Sequence, residues 1–377
     1  MQWDIFCRVV DNFGDIGVSW RLSRALAVDA GQTVRLFVDD WSTLRRLLPA
    51  APAAPAPFVA GQVSVLPWAL ADASPQVAEV VVEAFACHLP GAYLAAMRAA
   101  PTAPVWINLE YLSAEDWIEA CHGLPSPDPA TGLAKTFFFP GFTAGTGGLI
   151  REPGVFTRRD AAQGPRGRPD WLAEYPAAGA LASARWISLF AYDNPALAGR
   201  LADWRQADQP VVLWVPEGTA QRAVAQIIGE PALVSGEVRR LGALTVCALP
   251  FLPMDTYDRL LALCDVNFVR GEDSFVRAQW AARPFVWQAY PQADAAHVDK
   301  LEAFLQRYLA GVDAATAGAV RAFWREWNGA GGTDTAWPAF ESHWPALARH
   351  ARQWCDRIGA TDGLVERLVK LIVPDVK

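Results

Sequence analysis

The sequence predicts an α/β protein of two halves, each a parallel sheet with helices on its faces. Three observations predict it. Short apolar runs of strand length alternate with stretches whose apolar residues recur at helical spacing, the pattern of parallel α/β sheets. That alternation begins near Ile5 and begins again near Arg185. Between the two, Arg151 to Asp170 is rich in Gly, Pro, Arg and Asp and reads as a linker unable to build a core.

The first strand is Ile5 to Val10, followed by the turn Asp11-Asn12-Phe13-Gly14-Asp15-Ile16-Gly17. A helix over Val18 to Ala30 carries Leu22, Ala25 and Leu26 at helical spacing. Strands at Thr33 to Val38, Val63 to Leu66, Val80 to Ala86 and Val105 to Leu109 follow, several of them separated by helices. Ala50 to Pro57, alternating Ala and Pro, is a surface loop. The second half repeats the pattern, with strands at Arg185 to Ala191, Val211 to Val215, Leu244 to Leu249, Asp265 to Arg270 and Pro284 to Gln288. Its helices are Pro195 to Trp204, Met254 to Cys264 and Ser274 to Ala281. The expected organisation is a first domain over 1–155, a second over 156–343, and a helical tail over 344–377 that packs back on the first. Strand C-terminal ends facing a cleft between the halves are where open α/β sheets bind ligands.

At 377 residues, 52% hydrophobic and 19% charged, the chain has ample apolar surface to bury and is not a disordered segment. A formal charge of −7 argues against a nucleic-acid backbone as partner and is compatible with a cationic one. The N-terminus, Met1-Gln2-Trp3-Asp4, lacks the layout of a signal peptide, and no apolar run has the length of a membrane span. The six cysteines are scattered without a CxxC pair and read as reduced core thiols of a cytoplasmic protein. Cys87-His88 and Cys121-His122 have no second pair at ligand spacing, so no structural metal is expected.

Two constellations carry chemistry. In the first turn, Gly14 and Gly17 stand three apart with two carboxylates nearby, and a diphosphate would be repelled there, so a dinucleotide GxGxxG loop is excluded. Glycines permit close backbone approach to a ligand, and Asn12, Phe13, Gly14 and Gly17 are the candidate contacts of this turn. Asp11 and Asp15 either face the cleft as reactive groups, or Asp15 caps the following helix. The second constellation is Arg270-Gly271-Glu272-Asp273-Ser274, between a strand and a helix. A helix N-terminus after a glycine turn binds anions, Arg270 adds a fork matched to phosphate, and Ser274 either caps the helix or donates to phosphate. Glu272 beside a phosphate is costly unless it serves sugar hydroxyls or a cationic acceptor. Phe190, Tyr192, Phe251, Tyr257 and Trp287 cluster near strand ends, where one or two can stack on a base; most of the 17 tryptophans are core packing.

At these residues the chain resembles the protein-arginine rhamnosyltransferase family that modifies elongation factor P. The matching stretches are VVDNFGDIGVSWRLSRAL (Val9 to Leu26), LFAYDNPAL (Leu189 to Leu197), PFLPMDTYDRLL (Pro250 to Leu261) and RGEDSFVRAQWAARPFVWQAYPQ (Arg270 to Gln292), continuing through His297 to Leu305. The resemblance implies a GT-B fold of two Rossmann-like domains, TDP-β-L-rhamnose as donor, inversion, and no metal or other cofactor. It implies Asp15 as general base, Asp11 as the second carboxylate of that loop and Glu272 as the required acid of the second motif. It places Tyr192, Phe251 and Tyr257 around the thymidine, and Arg270, Gly271, Asp273 and Ser274 near the diphosphate and ribose. Two residues depart from the family's pattern: Met254 stands where a glutamine is expected, and Gln288 where histidine is usual.

The chemistry explains the acids. A guanidinium has a pKa above about 12 and no free lone pair, so it reacts only when carboxylates orient it and take its proton. General-base help is worth about 10² to 10⁴ in rate. The remaining alternatives are a GT-B enzyme with another acceptor, a nucleotide-sugar-binding regulator, and an NAD-dependent oxidoreductase. Three acids near a diphosphate disfavour the second, and the missing GxGxxG the third.

Overall fold

The structure is a computed structural model and describes residues 1–10, 13–129, 131–179, 181–291, 296–331 and 336–373. It divides into two compact units, Met1–Pro153 with Ile358–Lys377, and Gly154–Arg357. The first change falls two residues from the expected one. The second falls at 357/358 rather than at 343/344, inside the helix Trp344–Gly359.

The strands of the first unit are β1 (Gln2–Cys7), β2 (Thr33–Val38), β3 (Phe58–Ala60), β4 (Val63–Pro67), β5 (Val80–Ala84), β6 (Val105–Leu109), β7 (Pro125–Pro127) and β8 (Ala134–Phe138). They form one sheet in the order β3-β4-β2-β1-β5-β6-β8-β7, parallel except for the short edge strands β3 and β7. Strands buried on both faces read as continuous apolar runs, and β5 is buried at every position. Phe6 of β1 stacks on Phe37 of β2 at 4.6 Å and meets Tyr93 edge-on at 4.7 Å, forming part of the core on one face.

The second unit's strands are β9 (Arg185–Leu189), β10 (Val211–Pro216), β11 (Val238–Leu241), β12 (Leu244–Leu249), β13 (Val266–Arg270) and β14 (Phe285–Gln288), in the order β11-β12-β10-β9-β13-β14. Only β11 runs antiparallel. Trp171, Trp186 and Trp214 are fully buried in its core, as expected of most tryptophans.

The expected linker is a correction. Residues 151–170 contain the helix Val155–Gln163, and a second helix, Gly167–Glu174, begins within them. Arginine does the work that apolar residues do elsewhere. Arg168 donates to the last carbonyls of the helix Met254–Leu263 through Leu263 O (3.0 and 3.2 Å), pairs with Asp265 at 2.7 Å and lies 4.7 Å over the Trp186 ring. Gly167 is required by contact: a Cβ there would come within 1.7 Å of Ala162 O.

In each sheet one central strand has neighbours that follow it on opposite sides. β1 lies between β2 and β5, and β9 between β10 and β13. The loops after these strands flank a topological switch point, where open α/β sheets hold ligands.

Candidate active site

At the first unit's switch point, the helix Gly14–Val28 starts after its N-cap, Phe13. Asp11 and Asn12 lie outside the described residues. Asp15 does not cap the helix; Phe13 occupies the N-cap position and Asp15 the first turn, 2% exposed. Its Oδ2 accepts from Val10 N at 2.8 Å and its Oδ1 from Tyr111 Oη at 3.3 Å. One carboxylate oxygen is therefore held by the Val10 amide while the other meets a tyrosine hydroxyl. Gly14 is the first helical residue, and the buried Gly17 already donates its amide to Phe13 O at 2.9 Å. The half-buried Phe13 lies under the Arg46 guanidinium, 5.4 Å from its centroid.

Tyr111 stands two residues after β6 and was missed in the sequence. It stacks on Phe85 with ring centroids 4.4 Å apart and planes 17° from parallel. Glu110 beside it has its carboxyl pKa pushed up by burial, against the pull of a hydrogen bond from Asn108.

The second unit's switch point gathers the other motif. Arg270 ends β13, Gly271 turns the chain at φ +61°, Glu272 is the N-cap and the helix Asp273–Trp280 follows. The left-handed φ is why glycine stands there. Ser274 neither caps the helix nor offers a free hydroxyl: its Oγ donates to Arg270 O and accepts from Arg270 N at 3.1 Å, closing the turn. Trp287 braces the same turn, donating to Gly271 O at 2.8 Å and stacking on Phe275 at 4.1 Å.

The Arg270 guanidinium lies over Phe190 at 4.5 Å and Tyr192 at 4.3 Å, both just after β9. Packing a guanidinium against rings leaves its N–H edges for an anion. Tyr257 meets Phe190 edge-on at 5.7 Å; its hydroxyl is pushed up in pKa by burial and, beside Ser274, makes no hydrogen bond of adequate geometry. Phe251 is half-buried after β12, and Met254 opens the helix Met254–Leu263. Tyr192 also contacts Tyr290, which is 56% exposed and was not singled out in the sequence.

Gln288 is buried. Its Oε1 accepts from Tyr192 N at 2.9 Å and its Nε2 donates to Asp193 O at 3.4 Å, so it ties the end of β14 to the loop after β9. Among the described residues no group of three or more His, Cys, Asp or Glu is arranged to hold a metal, and no helix is long and apolar enough to cross a membrane. All six cysteines are unpaired, and five are buried. A cavity of about 370 Å³ in the second unit lies among its helices, where Arg277 pairs with Asp258 at 2.8 Å.

Residues 3–373 match the family described as elongation factor P (EF-P) rhamnosyltransferase EarP. A protein-arginine rhamnosyltransferase of Pseudomonas putida is 49% identical over 97% of both chains, and one of Shewanella oneidensis 39% identical over 98% of this chain and 97% of that one. A solved structure from work on EarP-mediated arginine glycosylation of EF-P superimposes with a TM-score of 0.71 at 36% identity, covering 100% of this chain and 99% of that one. The spinosyn rhamnosyltransferase SpnG shares the fold alone, with a TM-score of 0.53 at 13% identity over 99% of this chain and all of the other. The chain belongs to the EarP family of elongation factor P rhamnosyltransferases, protein-arginine glycosyltransferases of the GT-B fold.

Proposed function

We propose that this enzyme moves L-rhamnose from TDP-β-L-rhamnose to an arginine side chain of elongation factor P, in the cytoplasm, with inversion and without a metal ion. Relief of ribosome stalling at polyproline is the role that follows from the acceptor. The observation that carries the reading is Asp15, a buried carboxylate at a switch point with one oxygen held by Val10 N and the other by Tyr111 Oη.

In this reading the guanidine nitrogen attacks the anomeric carbon from the face opposite the diphosphate. The N–C bond forms as the C–O bond to TDP breaks, which turns a β-linked donor into an α-linked product. Asp15 takes the proton that the nitrogen loses. Asp11 orients the loop or the guanidinium, and Glu272, at the N-cap, holds the acceptor or the sugar. Arg270 and the positive N-terminal end of the helix Asp273–Trp280 stabilise the departing diphosphate, with Gly271, Asp273 and Ser274 shaping the turn around it. Tyr192, Phe251 and Tyr257 surround the thymidine, and Phe13, Gly14 and Gly17 are further candidates for donor contact. Water exclusion protects the donor from hydrolysis.

Intact mass of elongation factor P after incubation with the enzyme and TDP-β-L-rhamnose tests this. A gain of one deoxyhexose, lost when the acceptor arginine is replaced by lysine, is the expected result. No gain with donor still bound in calorimetry would point to another acceptor, and no gain with no binding would overturn the donor.

A further inference from the structure

We propose that Tyr111 positions Asp15 through its hydroxyl, and that its ring, braced from behind by Phe85, is the wall against which the acceptor guanidinium lies. The proposal rests on the reading of Asp15 as general base and names how that base and its substrate are brought together.

Three observations carry it. The Tyr111 hydroxyl donates to Asp15 Oδ1 at 3.3 Å, so a flat cation on the ring sits beside that carboxylate. Phe85 covers one face of the ring at 4.4 Å, yet Tyr111 is 41% exposed. A guanidinium is planar, weakly hydrated and attracted to the face of an aromatic ring. This chain packs its own guanidinium groups in that way, with Arg46 over Phe13 and Arg270 over Phe190 and Tyr192.

The third observation is the backbone beneath. Phe85, Ala86 and His88 all take left-handed φ values, +57°, +51° and +56°, and among the described residues only one other non-glycine residue, Ala282, does so. Such conformations persist where surrounding groups over-determine them, and they concentrate at functional sites. Here Asn108 Oδ1 accepts from Ala86 N at 3.2 Å and the buried Glu83 accepts from His88 N at 2.8 Å. The strained loop follows β5 at the switch point and sets the Phe85 ring under Tyr111.

During transfer the proton passes from the acceptor nitrogen to Asp15 while Tyr111 keeps its own, donating to the carboxylate throughout. Loss of the hydroxyl alone therefore leaves the carboxylate less well aimed and lowers kcat while the ring still holds the acceptor.

The test uses the full enzyme with elongation factor P and TDP-β-L-rhamnose, comparing Tyr111→Phe, Tyr111→Leu, Tyr111→Trp and Asp15→Asn. Tyr111→Phe is expected to keep the acceptor KM and lower kcat by roughly ten-fold, the scale of one hydrogen bond to a charged group. Tyr111→Leu is expected to raise the acceptor KM by roughly ten-fold, the scale of a partly desolvated cation–π contact, with donor affinity unchanged. Tyr111→Trp, which keeps a flat face, is expected to restore that KM. An unmoved kcat in Tyr111→Phe together with an unmoved acceptor KM in Tyr111→Leu would overturn the proposal, as would parallel loss of donor binding across all three variants. Turnover by Asp15→Asn would remove the base, and the KM series would then decide the wall on its own.

Discussion

Asp15 is asked to do two things with one carboxylate. Its Oδ2 holds the Val10 amide and keeps the turn closed, while Oδ1 faces the Tyr111 hydroxyl. Asparagine keeps an acceptor for the Val10 amide and loses the proton acceptor, so Asp15→Asn separates the two roles. Turnover is expected to fall by about 10² to 10⁴, the usual worth of a general base. Donor affinity, read by calorimetry with TDP-β-L-rhamnose, should stay near that of the parent. Unchanged turnover would remove Asp15 as the base. The residue types of both motifs were legible in the sequence because a turn between strand and helix announces itself. Tyr111 was not, because its distance from Asp15 is set by the pairing of β1 with β5 and β5 with β6, far apart in the chain. The role of Gln288 was hidden for the same reason: its partners, Tyr192 N and Asp193 O, are brought to it by sheet order alone.

Elements carry their own conflicts. The helix Gly14–Val28 ends at Asp29, an acid at the negative end of the dipole, near Glu366 and Glu152. Burial first, and those neighbours second, push the Asp29 carboxyl up to about 6. The folded state therefore holds a proton between the ordinary carboxyl pKa and about 6 that the unfolded chain releases. Stability is lost as pH rises through that window and stays lost above it. Asp29→Asn should stabilise the protein at pH 7 by up to about 1 kcal/mol, since the side chain is largely solvent-screened. The gain should vanish below about pH 4, where both forms are neutral. Urea unfolding at the two pH values checks it, and a gain independent of pH would refute the electrostatic account. At this scale the alternation of strands and helices was readable from periodicity. The helices Val155–Gln163 and Gly167–Glu174 were not, because Gly167 and Arg168 satisfy contacts that lie outside the local pattern.

At the scale of the whole molecule, the first unit is completed by residues far from it in sequence. Leu364, Val365 and Leu368 of the helix Leu364–Ile372 are buried. Arg367 donates to Thr143 O at 2.8 Å, and Arg151 pairs with Glu366 at 3.3 Å. Burial of three such side chains is worth about 4–9 kcal/mol, comparable to the net stability of a domain. A chain ending at Arg357 should therefore lose amide protection across β1, β2, β5 and β6 while β9, β10 and β13 keep theirs. Equal loss in both units, read by hydrogen exchange, would refute independent seating of that helix.

The same discontinuity sets an order of events during synthesis. Residues 154–357 are made without interruption, so the second unit has every strand and helix it needs while residues 358–377 are still untranslated. Domains fold as they are produced. The unit begun first must wait, with the seat of its last helix open to solvent or a chaperone, until the other has been translated in full.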